Sequence, residues 1–315
     1  MGRFFSGDGR QVQSTTSENQ KGLLALDEPE PVTIHNDNGE SPFVLVADHA
    51  GNLFPRALGH LGLSSAESRH HIAWDIGIGE VARIVGAALQ AKLVRQNYSR
   101  LIIDCNRPPD SPTSIPEQSE FTAVPGNVGL TKSQRAERER DIFWPYHHEI
   151  TRELDHRCES GKQAILIAMH SFTPVFKGIA RPWHAGILYN RDPRLAQLFL
   201  ALLRRESGLV VGDNEPYRVT DESDFTIPVH GEQRLLLHVG IEVRQDLIAD
   251  KNDLLGLFAL ICPSETLAIF AIDEKPEPAD ALTPDEREER LSKLADELLE
   301  LERKEVALLR VRFET

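Results

Sequence analysis

Two histidines in this sequence follow short apolar runs, at positions where metal-assisted chemistry is common. His49 comes shortly after the run Phe43–Val46, and His170 comes directly after Ile165–Met169. Uninterrupted apolar runs are typical of strands buried on both faces, and open α/β sheets bind ligands at the carboxyl ends of such strands. Neutral imidazole is a common zinc ligand. A single histidine at a strand end is more often structural, but two with acidic neighbours favour a metal site.

Three carboxylates are candidates for a third ligand: Asp48, Asp75 and Glu242. A carboxylate that stays uncoordinated can instead act as a general base, because a bound metal ion lowers the pKa of water from about 15.7 towards about 7. We assign that role to Glu242, which lies near the end of a late apolar run.

Three arginines lie near these runs: Arg100, Arg107 and Arg244. A guanidinium group matches a carboxylate in a bidentate geometry, so the pattern predicts a small substrate that carries a carboxylate. Each arginine could instead pair with an acidic neighbour and only hold its loop. Asn106 could donate a hydrogen bond to an oxyanion.

Strands and helices alternate along the chain, which predicts an α/β fold with a mostly parallel, doubly wound sheet. The principal strands are expected at 43–46, 99–104, 163–169 and 235–243, and shorter ones at 32–35, 92–94, 186–189 and 209–213. Helices are expected at 76–91, 131–160 with a kink or break at Pro145, 192–205 and 252–262, with a short one starting at Ser64. Residues 110–130 are expected to form a long functional loop.

Four segments are expected in the domain organisation. We expect a flexible leader at residues 1–27 and a metallohydrolase domain at 28–270. We expect a linker at 271–281 and an amphipathic helix with a leucine stripe at 282–313. The helix could pack on its own domain or pair with a second subunit as a homodimer.

Composition excludes several classes of protein. The net charge of -14 argues against nucleic-acid binding, which needs clustered lysine and arginine. The three cysteines follow no disulfide or thiolate-metal pattern, which favours a reducing cytoplasm. No apolar run is long enough to span a membrane, and no export signal is recognised. We therefore expect a soluble cytoplasmic protein with small-molecule or protein partners.

Seven segments between about residues 30 and 262 together resemble the N-formylglutamate amidohydrolase family. They are DHAGN at 48–52, HIAWDIG at 71–77, SRLIIDCNRPP at 99–109, HSFTP at 170–174, PW at 182–183, GDNEPY at 212–217 and IEVRQDLI at 241–248. The resemblance implies a phosphorylase/hydrolase-like α/β fold of three layers, with helices on both faces of a mostly parallel or mixed sheet, similar to zinc carboxypeptidases. It also implies hydrolysis of the amide of an N-acylated acidic amino acid.

The resemblance further implies roles for individual residues. His49 and His170 would bind one divalent ion, in the first place zinc, and Glu242 would be the base. The pair Asn106 and Arg107, together with Ser171, would receive the substrate, with Arg244 and Arg100 as further arginines near it.

The sequence departs from the carboxypeptidase pattern at one position. That pattern has a glutamate three residues after its first histidine, where this chain has Asn52. We expect Asp75, in the well-matched HIAWDIG segment, to be the third ligand rather than Asp48. The alternatives to an amidohydrolase are a carboxypeptidase-like peptidase and a non-catalytic carboxylate or peptide binder that has kept the fold.

Overall fold

The computed structural model describes residues 22–248. Its strands are β1 Val32–His35, β2 Phe43–Ala47, β3 Lys92–Gln96, β4 Gln118–Ser119, β5 Thr122–Ala123, β6 Ile165–Phe172, β7 Val175–Phe176, β8 Ile179–Ala180, β9 Ala185–Leu188, β10 Val211–Asp213 and β11 Leu237–Arg244. Its α-helices are α1 Ile78–Ala88, α2 Lys132–Arg138, α3 Trp144–Glu159 and α4 Arg194–Leu203. The expected leader up to residue 21, the helix at 252–262, the linker and the terminal helix lie outside the described residues.

Seven strands form one mixed sheet in the order β1-β3-β2-β6-β11-β9-β10. The four central strands β3, β2, β6 and β11 are parallel to one another. At one edge β1 runs antiparallel to β3, and at the other β9 runs antiparallel to β11 while β10 is parallel to β9. The expectation of a mostly parallel or mixed sheet is confirmed.

Helices cover both faces of the sheet. All five residues of β2 are buried. Val44 and Val46 share a core with Ile150 of α3, and α1 packs against β2 and β3. Successive side chains of a strand point to opposite faces, so Leu45, which is fully buried, lies on the other face. The fold therefore has three layers.

The break expected near Pro145 takes the form of a wider helical turn. The helix begins with a capping box in which Thr131 and Gln134 satisfy each other's backbone N–H groups. A π-helical segment, Glu139–Phe143, then separates α2 from α3, and Pro145 lies in the first turn of α3. A proline has no N–H to donate to the preceding turn, which accounts for the irregularity beside it.

One principal strand prediction is wrong. Residues 99–104 form buried turns rather than a strand. The N–H of Ile102 donates to the carbonyl of Ser99, and the N–H of Asp104 donates to the carbonyl of Ser114, so these groups are satisfied without a neighbouring strand. An apolar run indicates that its side chains are buried, and here packed turns bury them as fully as a sheet would.

Three irregular segments also differ from expectation. The capping box of Ser64 and Glu67 is present, but it begins only one 3₁₀ turn, Glu67–Arg69. The long loop at 110–130 contains the hairpin β4–β5, and the loop after Thr173 contains the hairpin β7–β8.

Among the helices within residues 22–248, none is both long and apolar enough to cross a membrane.

Candidate metal centre and active-site cavity

His49, Asp75 and His170 meet at the carboxyl ends of β2 and β6. Oδ2 of Asp75 lies 3.5 Å from Nδ1 of His49 and 3.1 Å from Nδ1 of His170. One ligand atom from each side chain lies within 4.8 Å of the others, and all three residues are buried. Nδ1 of His49 is a buried nitrogen without a hydrogen bond among the described residues. Two imidazoles and a carboxylate arranged in this way suit a divalent cation such as zinc.

Strand register and one tight turn bring these side chains together. Val46 of β2 pairs with Ala168 of β6, so the residues two positions further on, Asp48 and His170, come side by side. The N–H of Asp75 donates to the carbonyl of His49 at 2.9 Å, which attaches the segment before α1 to the end of β2.

Gly77 allows the chain to turn from Asp75 into α1. It has φ +83°, and a Cβ at this position would lie 2.7 Å from the carbonyl oxygen of Ile248. Only glycine satisfies both the left-handed backbone and this close approach at low energetic cost.

A carboxylate stands behind each histidine. Oδ1 of Asp104 lies 2.6 Å from Nε2 of His49, and Oδ2 of Asp48 lies 3.1 Å from Nε2 of His170. Carboxylates in this position fix the ring orientation and tautomer of metal-binding histidines, leaving Nδ1 free to bind. Asp48 therefore faces the side of His170 away from Asp75. The residues present fit a divalent ion held by His49, Asp75 and His170.

The environment of Asp48 favours its charged form. Burial alone would raise the pKa of this carboxyl, but His170 and the hydroxyl of Thr226 lower it to about 2. Oγ1 of Thr226 donates to Oδ1 of Asp48 at 2.7 Å. Asp48 is thus held in its charged form beside His170.

Glu242 lies beside His170 on the neighbouring strand. The two residues are paired in the register of β11 and β6, and Glu242 is only 5% exposed. Burial raises the pKa of its carboxyl to about 7, with Asp75 adding to the shift and His170 opposing it. Oε2 has no hydrogen-bond partner within the described part of the chain. A carboxyl with these properties is suited to exchange protons near neutral pH.

Two of the predicted substrate-binding arginines are engaged with acidic neighbours. Nη2 of Arg100 lies 2.5 Å from Oδ2 of Asp104, so this guanidinium anchors the carboxylate behind His49, although it also lines the cavity. Arg244 pairs with Asp246 at 2.7 Å and is not part of the cavity lining. The structure thus does not bring Arg244 together with the other predicted residues.

Asn106 and Ser171 line the cavity but use their polar groups to hold the site. The NH₂ group of Asn106 donates to Asp224, and its side-chain oxygen accepts from the backbone N–H groups of the two residues that follow Asp224. The backbone N–H of Ser171 donates to Oδ2 of Asp75 at 3.2 Å, and its hydroxyl donates to the carbonyl of Ile76. Their roles as substrate contacts remain a prediction, and in the structure their polar groups support the surrounding loops.

The cavity beside the cluster has a volume of about 440 Å³. Arg107 and Arg218 line it, and neither forms an ion pair with a carboxylate within residues 22–248. Arg107 is half-buried, and in the described part of the chain its guanidinium donates only to the backbone carbonyls of Asn106 and Ser223. A volume of this size accommodates an amino-acid derivative.

The sequence alone assigned no individual role to Arg218, Thr226 or Asp104. Arg218 directly follows the GDNEPY segment, which was a usable signal for the cavity wall. Thr226 lies in a stretch without a recognised motif, and only the folded chain brings it to Asp48.

The family model for N-formylglutamate amidohydrolase matches residues 41–249. This match covers six of the seven strands of the sheet, the His49, Asp75 and His170 cluster and the cavity. The chain therefore belongs to the N-formylglutamate amidohydrolase family. The resemblance noted in the sequence is confirmed.

Similar proteins agree with this assignment. An N-formylglutamate deformylase from Pseudomonas putida is 29% identical over an alignment of 188 residues that covers 54% of this chain and 68% of that protein. A crystal structure of a gene product from Agrobacterium tumefaciens is 35% identical with a TM-score of 0.76, over 80% of this chain and all (100%) of that one.

A more distant structure supports the fold. The N-formylglutamate amidohydrolase from Ralstonia eutropha has a TM-score of 0.55 at 17% identity, over 74% of this chain and 94% of that one.

Proposed function

We propose that this protein is a metal-dependent amidohydrolase that removes the N-formyl group, or a similar small acyl group, from an acidic amino acid such as glutamate. The observation that carries the proposal is the placing of Glu242 next to His170 in a cavity that also contains two arginines without carboxylate partners among the described residues. The family and the deformylase from Pseudomonas putida support the same substrate class.

His49, Asp75 and His170 are the residues that would hold the cation. When bound, a zinc ion would supply Lewis-acid polarisation and lower the pKa of water. Asp104 and Asp48 lie against Nε2 of the two imidazoles, which directs Nδ1 of each ring towards the proposed ion.

Glu242 moves the proton in this mechanism. In its charged form it accepts a proton from the attacking water, and the pKa of its carboxyl, which burial raises, makes it a stronger base than an exposed glutamate. It then donates that proton to the amide nitrogen as the C–N bond breaks, so the products are the free amine and formate or the corresponding acid.

Arg107 and Arg218 select the substrate. Guanidinium groups facing a cavity bind carboxylates with charge-assisted hydrogen bonds. Because N-formylglutamate carries two carboxylates, we assign one to each arginine. A neutral amino acid would leave one guanidinium without its anion, which disfavours such substrates.

The experiment that tests the function is a substrate panel. Purified protein is incubated with N-formyl-L-glutamate, N-formyl-L-glutamine, N-formyl-L-leucine and N-acetyl-L-glutamate, and release of primary amine and of formate or acetate is measured. We expect the highest kcat/KM with N-formylglutamate and lower values for glutamine and leucine derivatives. Equal activity on all four compounds, or none on any of them by protein with bound metal, would contradict the proposal.

A further inference from the structure

A second group of metal-ligating side chains lies at the mouth of the same cavity. His70, His71 and Glu120 each offer one ligand atom, and these atoms lie within 4.8 Å of one another. The rings of His70 and His71 are 4.2 Å apart, and Nε2 of His71 lies 3.1 Å from Oε2 of Glu120. His71 and Glu120 also line the cavity.

An ordinary ion pair accounts poorly for this arrangement. The side chains of His71 and Glu120 are only 14% and 15% exposed, yet Nε2 of His71 makes no aligned hydrogen bond within residues 22–248. One carboxylate neutralises one imidazolium, and a second charged ring in contact with the first would be repelled. Two neutral imidazoles and one carboxylate instead form a ligand set of the kind that zinc accepts.

Glu120 also connects three segments that surround the cavity mouth. It lies in the turn between β4 and β5, where its backbone has φ +53°. Its Oε1 accepts a hydrogen bond of 2.8 Å from the N–H of Lys177 in the turn between β7 and β8. Its Oε2 faces His71 in the segment that leads to Asp75. A ligand bound by Oε2 would therefore join two hairpins to the segment carrying Asp75.

We propose that His70, His71 and Glu120 form a second site for a divalent cation of the zinc type, separate from the His49, Asp75 and His170 cluster, and that binding there fixes the two hairpins over the cavity mouth. The site acts on access and substrate affinity, since none of its residues is assigned to proton transfer. It thus goes beyond the proposed hydrolysis and does not depend on the identity of the substrate.

Zinc stoichiometry tests the site directly. The full-length protein is freed of metal with a chelator and titrated with Zn²⁺ by calorimetry, with bound metal checked by elemental analysis. We expect about two equivalents for the wild type, and one for Glu120→Gln and for His71→Asn. Glu117→Gln and His60→Asn are matched controls because both residues are exposed, lie outside the cluster and should leave two equivalents.

A second background separates this site from the first. In His170→Ala one equivalent should remain, and adding Glu120→Gln should remove it. If Glu120→Gln does not fold, as judged by circular dichroism, His71→Asn provides the same comparison. Two results would overturn the proposal. One is a single equivalent of Zn²⁺ in the wild type that His170→Ala abolishes. The other is that Glu120→Gln and His71→Asn each still bind two equivalents.

Hydrogen exchange provides a readout that is independent of activity. After the second equivalent of Zn²⁺, amide exchange in residues 117–124 and 175–180 should slow by about tenfold or more in the wild type and remain unchanged in Glu120→Gln. Equal exchange rates in these hairpins at one and at two equivalents would show that the site does not fix them, which would contradict the proposed role.

Discussion

Substitution of Asp48 and of Asp75 should have different effects on metal binding, although both carboxylates contact His170. Asp75 faces Nδ1, the nitrogen directed at the proposed ion, whereas Asp48 faces Nε2 on the other side of the ring. We therefore predict that Asp75→Asn loses stoichiometric zinc binding and that Asp48→Asn keeps one equivalent at the His49, Asp75 and His170 cluster with lower affinity.

The expected size of the Asp48 effect follows from its two contacts. The carboxylate accepts from Oγ1 of Thr226 at 2.7 Å and lies 3.1 Å from Nε2 of His170. An asparagine has one acceptor oxygen and serves only one of these donors. If its NH₂ group faces His170, the ring proton moves to Nδ1 and blocks the ligand lone pair. Loss of such an outer partner typically weakens metal affinity about 10–100-fold, which is about 1.4–2.8 kcal/mol.

The assay is competition for Zn²⁺ against a chromophoric chelator. It is performed in the Glu120→Gln background so that the cluster of His70, His71 and Glu120 does not contribute. Asp246→Asn is the matched control, because Asp246 pairs with Arg244 and neither residue lines the cavity. Circular dichroism at each zinc concentration confirms that the variants remain folded.

Two results would refute the assignment. One is loss of zinc in Asp48→Asn with retention in Asp75→Asn, which would make Asp48 the ligand. The other is an unchanged affinity in Asp48→Asn, which would show that this carboxylate does not orient His170 in solution.

Three further predictions concern the substrate, acid stability and the turn before α1. Arg218→Ala should raise KM for N-formylglutamate about 10–100-fold with a smaller change in kcat, because a hydrogen bond to a charged group contributes about 1.5–3 kcal/mol. Steady-state kinetics measures both constants. Burial lowers the pKa of His147 to about 4 and that of His230 to about 3, so unfolding takes up protons below pH 6.5. The free energy of unfolding, measured in urea titrations, should therefore fall between pH 6 and 5 by up to about 1.4 kcal/mol per pH unit for each histidine. Gly77→Ala should destabilise the fold by about 1–3 kcal/mol in the same titrations at pH 7, because of φ +83° and the contact with Ile248.

Each of these predictions has a clear contrary result. Equal KM values for Arg218→Ala and wild type would remove Arg218 from substrate binding. A flat stability profile between pH 6 and 5 would mean that the buried pair of His147 and His230 is protonated in the folded state. Protonation of both rings is disfavoured because Nδ1 of His147 lies 2.9 Å from Nε2 of His230, while Nε2 of His147 forms a 2.8 Å hydrogen bond to the carbonyl of Cys105. An unchanged midpoint for Gly77→Ala would show that the turn relaxes at no cost.

The central sheet could be predicted because buried parallel strands leave a direct record in sequence. The runs at Phe43 and Ile165 are apolar without alternation, and both form strands whose ends carry His49 and His170. The run before Asp104 has the same composition but forms turns, since hydrogen bonds to nearby loops replace a strand partner. Composition shows that a segment is buried and does not show which backbone groups it will pair with.

The site was predictable to the extent that its residues follow strand ends or recognised segments. His49, His170 and Glu242 satisfy that condition, and Asp75 was chosen from its segment. The orientation of side chains was not predictable. Whether Asp48 faces the ion or stands behind His170 depends on the register between β2 and β6 and on Thr226, which lies 178 residues away in sequence.

The role of Glu242 is tested by the rate of glutamate release from N-formylglutamate by wild type and Glu242→Gln, with bound zinc determined on the same samples. Because Glu242 is buried next to His170 but outside the group of His49, Asp75 and His170, we predict that the variant keeps its zinc and loses at least about 100-fold in kcat. Loss of zinc in the variant would make Glu242 a ligand, and an unchanged kcat with zinc retained would contradict its role as the base.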